Sequence, residues 1–169
     1  SQRTSLAVRD IAIMAQMIIH NNVLKLLGSC LEDEAILLVA EYAGERFLSD
    51  CTLREAGRDS RPLAWKCRLR AANQIANVLT YLHIALPQPV VHRDVKPKIF
   101  IIDQHGIVKL YDFSLSISIP LGESRVEADV VTGTRGFLDP EYGRSSFVTE
   151  KTDVFSFGVL LLVLLSGRE

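Results

Sequence analysis

Three side chains stand at a spacing that suits the movement of a phosphoryl group. Asp94 follows His92 and Arg93, Lys96 lies two residues on, and Asp112 opens Asp112-Phe113-Ser114 eighteen residues later. In a loop of the form H-R-D-x-x-x-x-N the Asp orients a hydroxyl nucleophile and the Asn holds a magnesium ion. A later Asp at the end of a hairpin can coordinate the ion that bridges nucleotide phosphates. Here the Asn position is Ile99, which has no oxygen to offer a hard cation. Losing one preorganised charge-stabilising group costs about 10²–10³ in rate, or roughly 3–4 kcal/mol. The pattern reads as a phosphoryl-transfer site with one part replaced.

Those residues need elements to hold them. Val8 to Ile19 is apolar and helix-compatible, and Asn21-Asn22 breaks it. Val23 to Leu27 and Ala35 to Tyr42 read as strands joined by the acidic turn Glu32-Asp33-Glu34. Ala43 to Arg46 reads as a polar hinge between two layers. Trp65, Leu69, Ala72, Ile75, Ala76, Leu79 and Leu82 recur at three- and four-residue steps, which predicts an amphipathic helix ended by Pro87 and Pro89. Val90-Val91 and Phe100 to Ile102 flank Asp94 as short buried strands, and Asp103 to Gly106 turns into Ile107 to Leu110. Ser114 to Thr134 is polar and too long for a tight turn, as functional loops are. A last helix from about Thr152 to Ser166 is apolar on nearly every face, so it belongs in the middle of a domain.

With 169 residues, 48% hydrophobic and 23% charged, the chain can bury one ordinary core. The net charge of −1 with no basic block argues against a nucleic-acid partner. Cys30, Cys51 and Cys67 are odd in number and lack paired metal-ligand spacing, so they read as reduced thiols of a cytosolic protein. The richest apolar run, Val159 to Leu165, falls short of the roughly 18 residues that span a bilayer, and no signal-peptide pattern is visible. Met14 and Met17 are the only methionines, so the chain is expected to be cut from something longer. Membrane attachment through another part stays open.

The ordered motifs resemble a protein kinase, closed by Gly133-Thr134 and by Asp139-Pro140-Glu141 in place of A-P-E. The wording is similar to plant receptor-like kinases of the wall-associated type in Asn22 to Gly28, Gly136 to Tyr142 and Thr149 to Gly158. Within them it resembles receptor-like cytoplasmic pseudokinases, which act as adaptors for intracellular immune receptors, in Arg9-Asp10-Ile11, Tyr81-Leu82-His83, Leu86 to Pro89 and Ser118 to Glu123. The resemblance runs from the regulatory helix of the small lobe to the central helix of the large one. It implies an α+β, two-lobed protein-kinase-like fold, with 1–43 the remnant of a truncated small lobe and 44–169 a mainly helical large lobe.

The resemblance also implies roles. Asp94 would be the catalytic base, Lys96 the cation at the phosphate, and Thr134 a hydroxyl bonded near both. Asp112 would be the metal ligand beside the lost ligand at Ile99. Backbone groups of Glu41 and Ala43 would meet the adenine, with Ala40 as gatekeeper and Ile101 beneath the ring. ATP and Mg²⁺ would be the cofactors. Asp10 would stand where the regulatory-helix Glu pairs with a strand lysine, Phe113 would belong to the mobile triplet, and Arg93 would dock a phosphorylated activation loop. Ser116, Ser118, Ser124 and Thr132 are candidate phosphate acceptors. Lys98 could place a cation near the lost ligand but reads more simply as solvated, and His20, His83 and His105 read as ordinary residues. His92 reads as packed, and Asp153 as bonded to the catalytic-loop backbone.

Ser114 replaces a Gly, and its Cβ is expected to restrict the backbone. By the resemblance, the Gly-rich loop and the strand lysine are expected to lie before Ser1. The leading expectation is therefore a catalytically impaired pseudokinase, an adaptor or scaffold in plant receptor and immune signalling. It would be cytoplasmic or at the inner face of the plasma membrane, with immune receptors or receptor-like kinases as partners. The competing expectations are an active Ser/Thr kinase of the wall-associated type, and a truncated gene product with no stable fold, poorly soluble through its Leu160 to Leu165 face.

Overall fold

Helix α1 (Gln2–Gln16) delivers Ile13 and Met14 to the main apolar core, and Met17 joins them in the turn that follows. The computed structural model describes residues 2–31, 36–44, 46–52 and 63–167. Beyond α1, β1 (Leu26–Leu31) and β2 (Ile36–Ala40) form an antiparallel hairpin with Ser29 opposite Leu38. The strand expected over Val23 to Leu27 is corrected by this register. Val23 makes only a parallel bridge to Leu110, while Leu24 N–H donates to the Leu110 carbonyl at 2.9 Å and Leu110 N–H to the Asn22 carbonyl at 2.8 Å. Residues 22–24 are held by the strand at Leu110, and β1 begins beyond them. The acidic turn Glu32-Asp33-Glu34 lies outside the described residues.

The Asn22 side chain ties three elements. Its amide donates to Gln74 Oε1 at 2.7 Å and to the Val108 carbonyl at 2.9 Å, and Val108 N–H donates to the same Gln74 oxygen at 2.9 Å. The exit of α1 is thereby fixed to α3 (Trp65–Ile84) and to β6 (Val108–Leu110).

Glu41 to Gly44 carries no helix or strand, but Arg46 of the expected hinge opens β3 (Arg46–Phe47), followed by α2 (Leu48–Thr52). β3 pairs with β5 (Phe100–Ile102), which pairs with β6. Helix α3 buries Ala71, Ile75, Val78, Leu79 and Leu82, but Trp65 and Leu69 are 58% and 49% exposed. Between those two, Arg68 turns inward and donates to the Leu63 and Leu164 carbonyls, each at 2.8 Å. Period alone placed the two apolar residues in the stripe; the polar neighbour takes the inner position.

The polar segment after Ser114 carries β7 (Ile117–Ser118), paired with β4 (Val90–Val91), and β8 (Val126–Glu127), paired with β9 (Phe147–Val148). A short helix α4 (Pro140–Ser145) follows, and Tyr142 sits with Val91, Ile119, Ala128 and Val148 in a second, smaller core. Helix α5 (Glu150–Ser166) starts on a capping box between Thr149 and Thr152. Its buried face is Thr152, Asp153, Ser156, Leu160, Val163 and Leu164. The expectation of burial on nearly every face is corrected: Leu162 and Leu165 are 65% and 49% exposed. No helix among the described residues is long and apolar enough to cross a membrane.

Candidate active site

The loop from His92 to Ile99 joins β4 to a 3-10 turn at Pro97–Ile99 ahead of β5. A buried carboxylate of α5 holds it from below. Asp153 Oδ2 accepts the His92 N–H at 2.7 Å, and Oδ1 accepts the Arg93 N–H at 2.9 Å. His83 Nε2, on α3, lies 2.9 Å from Oδ2, so His83 is a third partner and not the ordinary residue its spacing suggested. Arg93 adopts φ 69°, unusual for a residue with a Cβ, and the Asp153 bond secures it there. The His92 ring accepts the Asp94 N–H at 3.3 Å and tilts against Phe113 at 5.5 Å between centroids. Burial lowers the His92 imidazole from its usual value, against the opposing pull of Asp153, Asp112 and Asp94.

Asp94, Lys96 and Thr134 converge. Lys96 Nζ donates to Asp94 Oδ2 at 2.5 Å and to Thr134 Oγ1 at 2.7 Å, and the Thr134 hydroxyl donates to Asp94 Oδ1 at 2.6 Å. Thr134 reaches the loop because Gly133 passes close to it. Gly133 has φ +145°, and a Cβ there would stand 2.9 Å from Leu138 Cδ1 and 3.0 Å from the Arg93 carbonyl oxygen. Gly133→Ala is expected to cost about 1–3 kcal/mol through strain and overpacking. Denaturant unfolding beside Gly136→Ala, where a Cβ meets nothing within 4 Å, isolates the contact from the backbone effect.

Asp112 also has a left-handed backbone, φ 68°. Its Oδ1 accepts the Ser114 hydroxyl at 2.6 Å and the Ser114 N–H at 3.2 Å. The expected backbone restriction at Ser114 does not arise, because the positive φ falls at Asp112 and not at Ser114. What Ser114 adds is a hydroxyl on the carboxylate.

Asp10 Oδ1, from α1, accepts the Phe113 N–H at 2.8 Å, and Phe113 is fully buried. Burial lifts the Asp10 carboxyl above its ordinary 3.8, the Phe113 bond opposes the lift, and the Asp112 charge adds to it. A raised carboxylate opposes folding wherever it is ionised. Stability from this group therefore falls as pH rises from 3.8 through the higher folded-state value. Asp10→Asn keeps an acceptor for Phe113 and removes the charge. It is expected to be more stable than the parent at neutral pH, with the difference vanishing below 3.8 in a pH series of unfolding midpoints.

At the link between the lobes, Glu41 Oε1 accepts from Lys109 Nζ at 3.0 Å and from Lys25 N–H at 3.1 Å. Burial alone would raise the Glu41 carboxyl; the bonds to Lys109 and Lys25 outweigh it and hold it below its ordinary value. Glu41 N–H is used by the Lys25 carbonyl at 2.8 Å, whereas neither backbone group of buried Ala43 has a hydrogen bond among the described residues. Ala40 ends β2, and Ile101, half-buried on β5, pairs with Phe47 and Lys109.

A family profile described as the protein kinase domain matches residues 1–169. The chain belongs to the protein kinase family. The serine/threonine-protein kinase ZRK1 of Arabidopsis thaliana is 45% identical over 159 residues, 94% of this chain and 45% of that protein. The non-functional pseudokinase ZED1 of the same plant is 47% identical over 163 residues, 96% of this chain and 47% of that protein. Its wall-associated receptor kinase 4 is 43% identical over 162 residues, 96% of this chain and 21% of that protein. The chain spans about half the length of the first two.

Protein kinase domains generally use ATP and two Mg²⁺ ions held by an Asp and an Asn. In this kinase domain the residues do not fit that pair of ions. Ile99 is 2% exposed and belongs to the main apolar core, with no oxygen to give. Asp112 is capped by Ser114, and Asp94 is engaged by Lys96 and Thr134. Lys98 is exposed, and its carbonyl accepts the Tyr111 hydroxyl at 3.1 Å. No group of three or more His, Cys, Asp or Glu among the described residues could hold a metal. The Ala43 backbone groups, with no hydrogen bond among the described residues, are a donor and an acceptor of the kind an adenine edge would take.

Arg93 is 7% exposed and turned inward. Its Nε donates to the Leu115 carbonyl at 2.5 Å and its guanidinium to the Tyr142 hydroxyl at 3.2 Å, so a docking phosphate has to displace these. The Tyr142 oxygen also accepts Thr132 N–H at 3.1 Å, a junction that sequence reading missed. Among the candidate phosphate acceptors, Ser118 and Ser124 are exposed. Ser116, another of the candidates, is fully buried, and the Thr132 hydroxyl oxygen is buried too.

Proposed function

We propose that this chain is the central part of a pseudokinase, a kinase-derived signalling module that works by binding partners while its phosphoryl transfer is impaired. One observation carries the reading: the metal-ligand carboxylate Asp112 accepts a hydrogen bond from Ser114, beside an apolar Ile99 where the second ligand would stand. The likeness to a protein named a non-functional pseudokinase supports it. An adaptor or scaffold in plant receptor and immune signalling is the role that follows, with immune receptors or receptor-like kinases as partners, in the cytoplasm or at the inner face of the plasma membrane.

A second reading has its own observation. The Asp94–Lys96–Thr134 cluster is complete, as a working Ser/Thr kinase of the wall-associated type would need. Phosphate transfer from labelled ATP–Mg²⁺ by the full-length protein, measured beside Asp94→Asn, separates the two. The pseudokinase reading expects no difference between them. Transfer by the parent that disappears in Asp94→Asn establishes the second reading.

A further inference from the structure

We propose that the nucleotide site is remade for a flat heteroaromatic ligand that carries neither sugar nor phosphate, with Phe47 and Tyr111 closing the place where a sugar would lie. The inference rests on reading this site as that of a pseudokinase and names what such a site would hold. Side chains two apart on a strand share a face, and so do those directly opposite on paired strands. Phe47 stands opposite Ile101, and Ile101 opposite Lys109, two residues before Tyr111. Tyr111 continues the ladder, its N–H on the Ile99 carbonyl at 3.2 Å. These side chains therefore share one face of the β3–β5–β6 sheet, while Phe100 and Leu110 on the other enter the main core. From that shared face Lys109 Nζ donates to Glu41 at 3.0 Å, which places it beside the link that carries Ala43.

The site keeps the base end of ATP and gives up the rest. Ala43 offers a backbone donor and acceptor with no hydrogen bond among the described residues, and half-buried Ile101 offers an apolar floor. Phe47 follows Ala43 by four residues and Tyr111 immediately precedes Asp112. Their rings meet at 6.0 Å between centroids, tilted by 54°, within the range of an attractive aromatic pair. The span from base end to metal end is thus taken by the chain's own rings. The Tyr111 hydroxyl donates to the Lys98 carbonyl at 3.1 Å, beside Ile99, and so closes the gap between the two metal-ligand positions. Burial, and then the Asp112 charge, lift the Tyr111 phenol above its ordinary 10.0, which keeps it a donor at neutral pH. Phe47 has no polar atom for a ribose hydroxyl, and the Lys98 carbonyl already has its donor. Sugar hydroxyls set there without partners cost affinity, whereas a flat ring gains from aromatic neighbours. A triphosphate fares no better, with Ile99 in the second ligand position and Ser114 on Asp112.

The test is a set of dissociation constants for adenine, adenosine and ATP on the full-length protein, read by ligand-observed NMR in chelator and again in Mg²⁺. Adenine is expected to bind roughly tenfold or more tightly than adenosine or ATP, the cost of hydroxyls left unpaired, and Mg²⁺ is expected to change none of the three. Phe47→Ser with Tyr111→Ser is expected to abolish the gap between adenine and adenosine by reopening the place of the sugar. The parent series decides the matter even where that variant fails to fold. No binding of adenine, or adenosine bound as tightly as adenine, overturns the proposal. ATP bound as tightly as adenine but not turned over also overturns it and leaves the pseudokinase reading standing. ATP bound that tightly, with its phosphate transferred, overturns both.

Discussion

Replacing Asp153 with alanine is expected to cost about 3–5 kcal/mol of folding stability, the largest effect of any single substitution proposed for this chain. Its carboxylate is fully buried and serves the His92 and Arg93 backbone and the His83 ring at once. Alanine leaves two backbone N–H groups without acceptors in a place water does not reach. Domains have only about 5–15 kcal/mol in hand, so a large fraction of the total is lost. Asp153→Asn keeps one oxygen but turns an NH₂ toward a donor, so it is expected to fall between parent and alanine. Denaturant unfolding reads both, with exposed Asp129→Asn as a control expected within about 0.5 kcal/mol of the parent. A loss below 1 kcal/mol for the alanine variant refutes this account of what holds the catalytic loop.

Ile99→Asn with Ser114→Gly is expected to strengthen Mg²⁺-dependent nucleotide binding by about ten- to a hundredfold, the range over which partners of a metal ligand change affinity. The two changes act differently. Glycine frees the Asp112 oxygen from its 2.6 Å bond, and asparagine brings an oxygen to a site now filled by an apolar side chain. Without metal, the new amide sits in the core with too few partners and costs about 1–3 kcal/mol. The double variant should therefore melt below the parent in chelator and recover on adding Mg²⁺ and nucleotide. Ser114→Ala alone separates the loss of the hydroxyl from the loss of Cβ. Recovery absent in the full-length double variant would place the metal lesion elsewhere.

The long elements were legible from their apolar pattern: α3 from its repeating steps ended by Pro87 and Pro89, α5 from its apolar run. Among the short ones, Val90-Val91 and Phe100 to Ile102 were read as strands because they flank the motif, but four others were not. β3, β7, β8 and β9 are two residues each, below any period, and exist because a partner strand from far along the chain meets them. Burial was legible only as a stripe, so Trp65 and Leu69 were placed inside when Arg68 takes the inner face. For the site, motif order and the resemblance singled out Asp94, Lys96 and Thr134, which the structure brings together, and Asp112. Contacts made by a residue of no special spacing stayed hidden. Nothing in Tyr81-Leu82-His83 says that His83 will meet Asp153 seventy residues later, and nothing at Ser114 says that its hydroxyl will turn back on Asp112.

The Asn22 knot gives α1 a fulcrum. A tilt of α1 about its last turn, which the Asn22 bonds to Gln74 and Val108 follow, would displace each residue in proportion to its distance from that end. Asp10 stands six residues inside the end of α1, about 9 Å at the usual rise per residue. A tilt of about 10° would carry it through about 1.6 Å, enough to part the 2.8 Å bond to Phe113. A tilt of that size would act at the buried Phe113, the neighbour of Asp112.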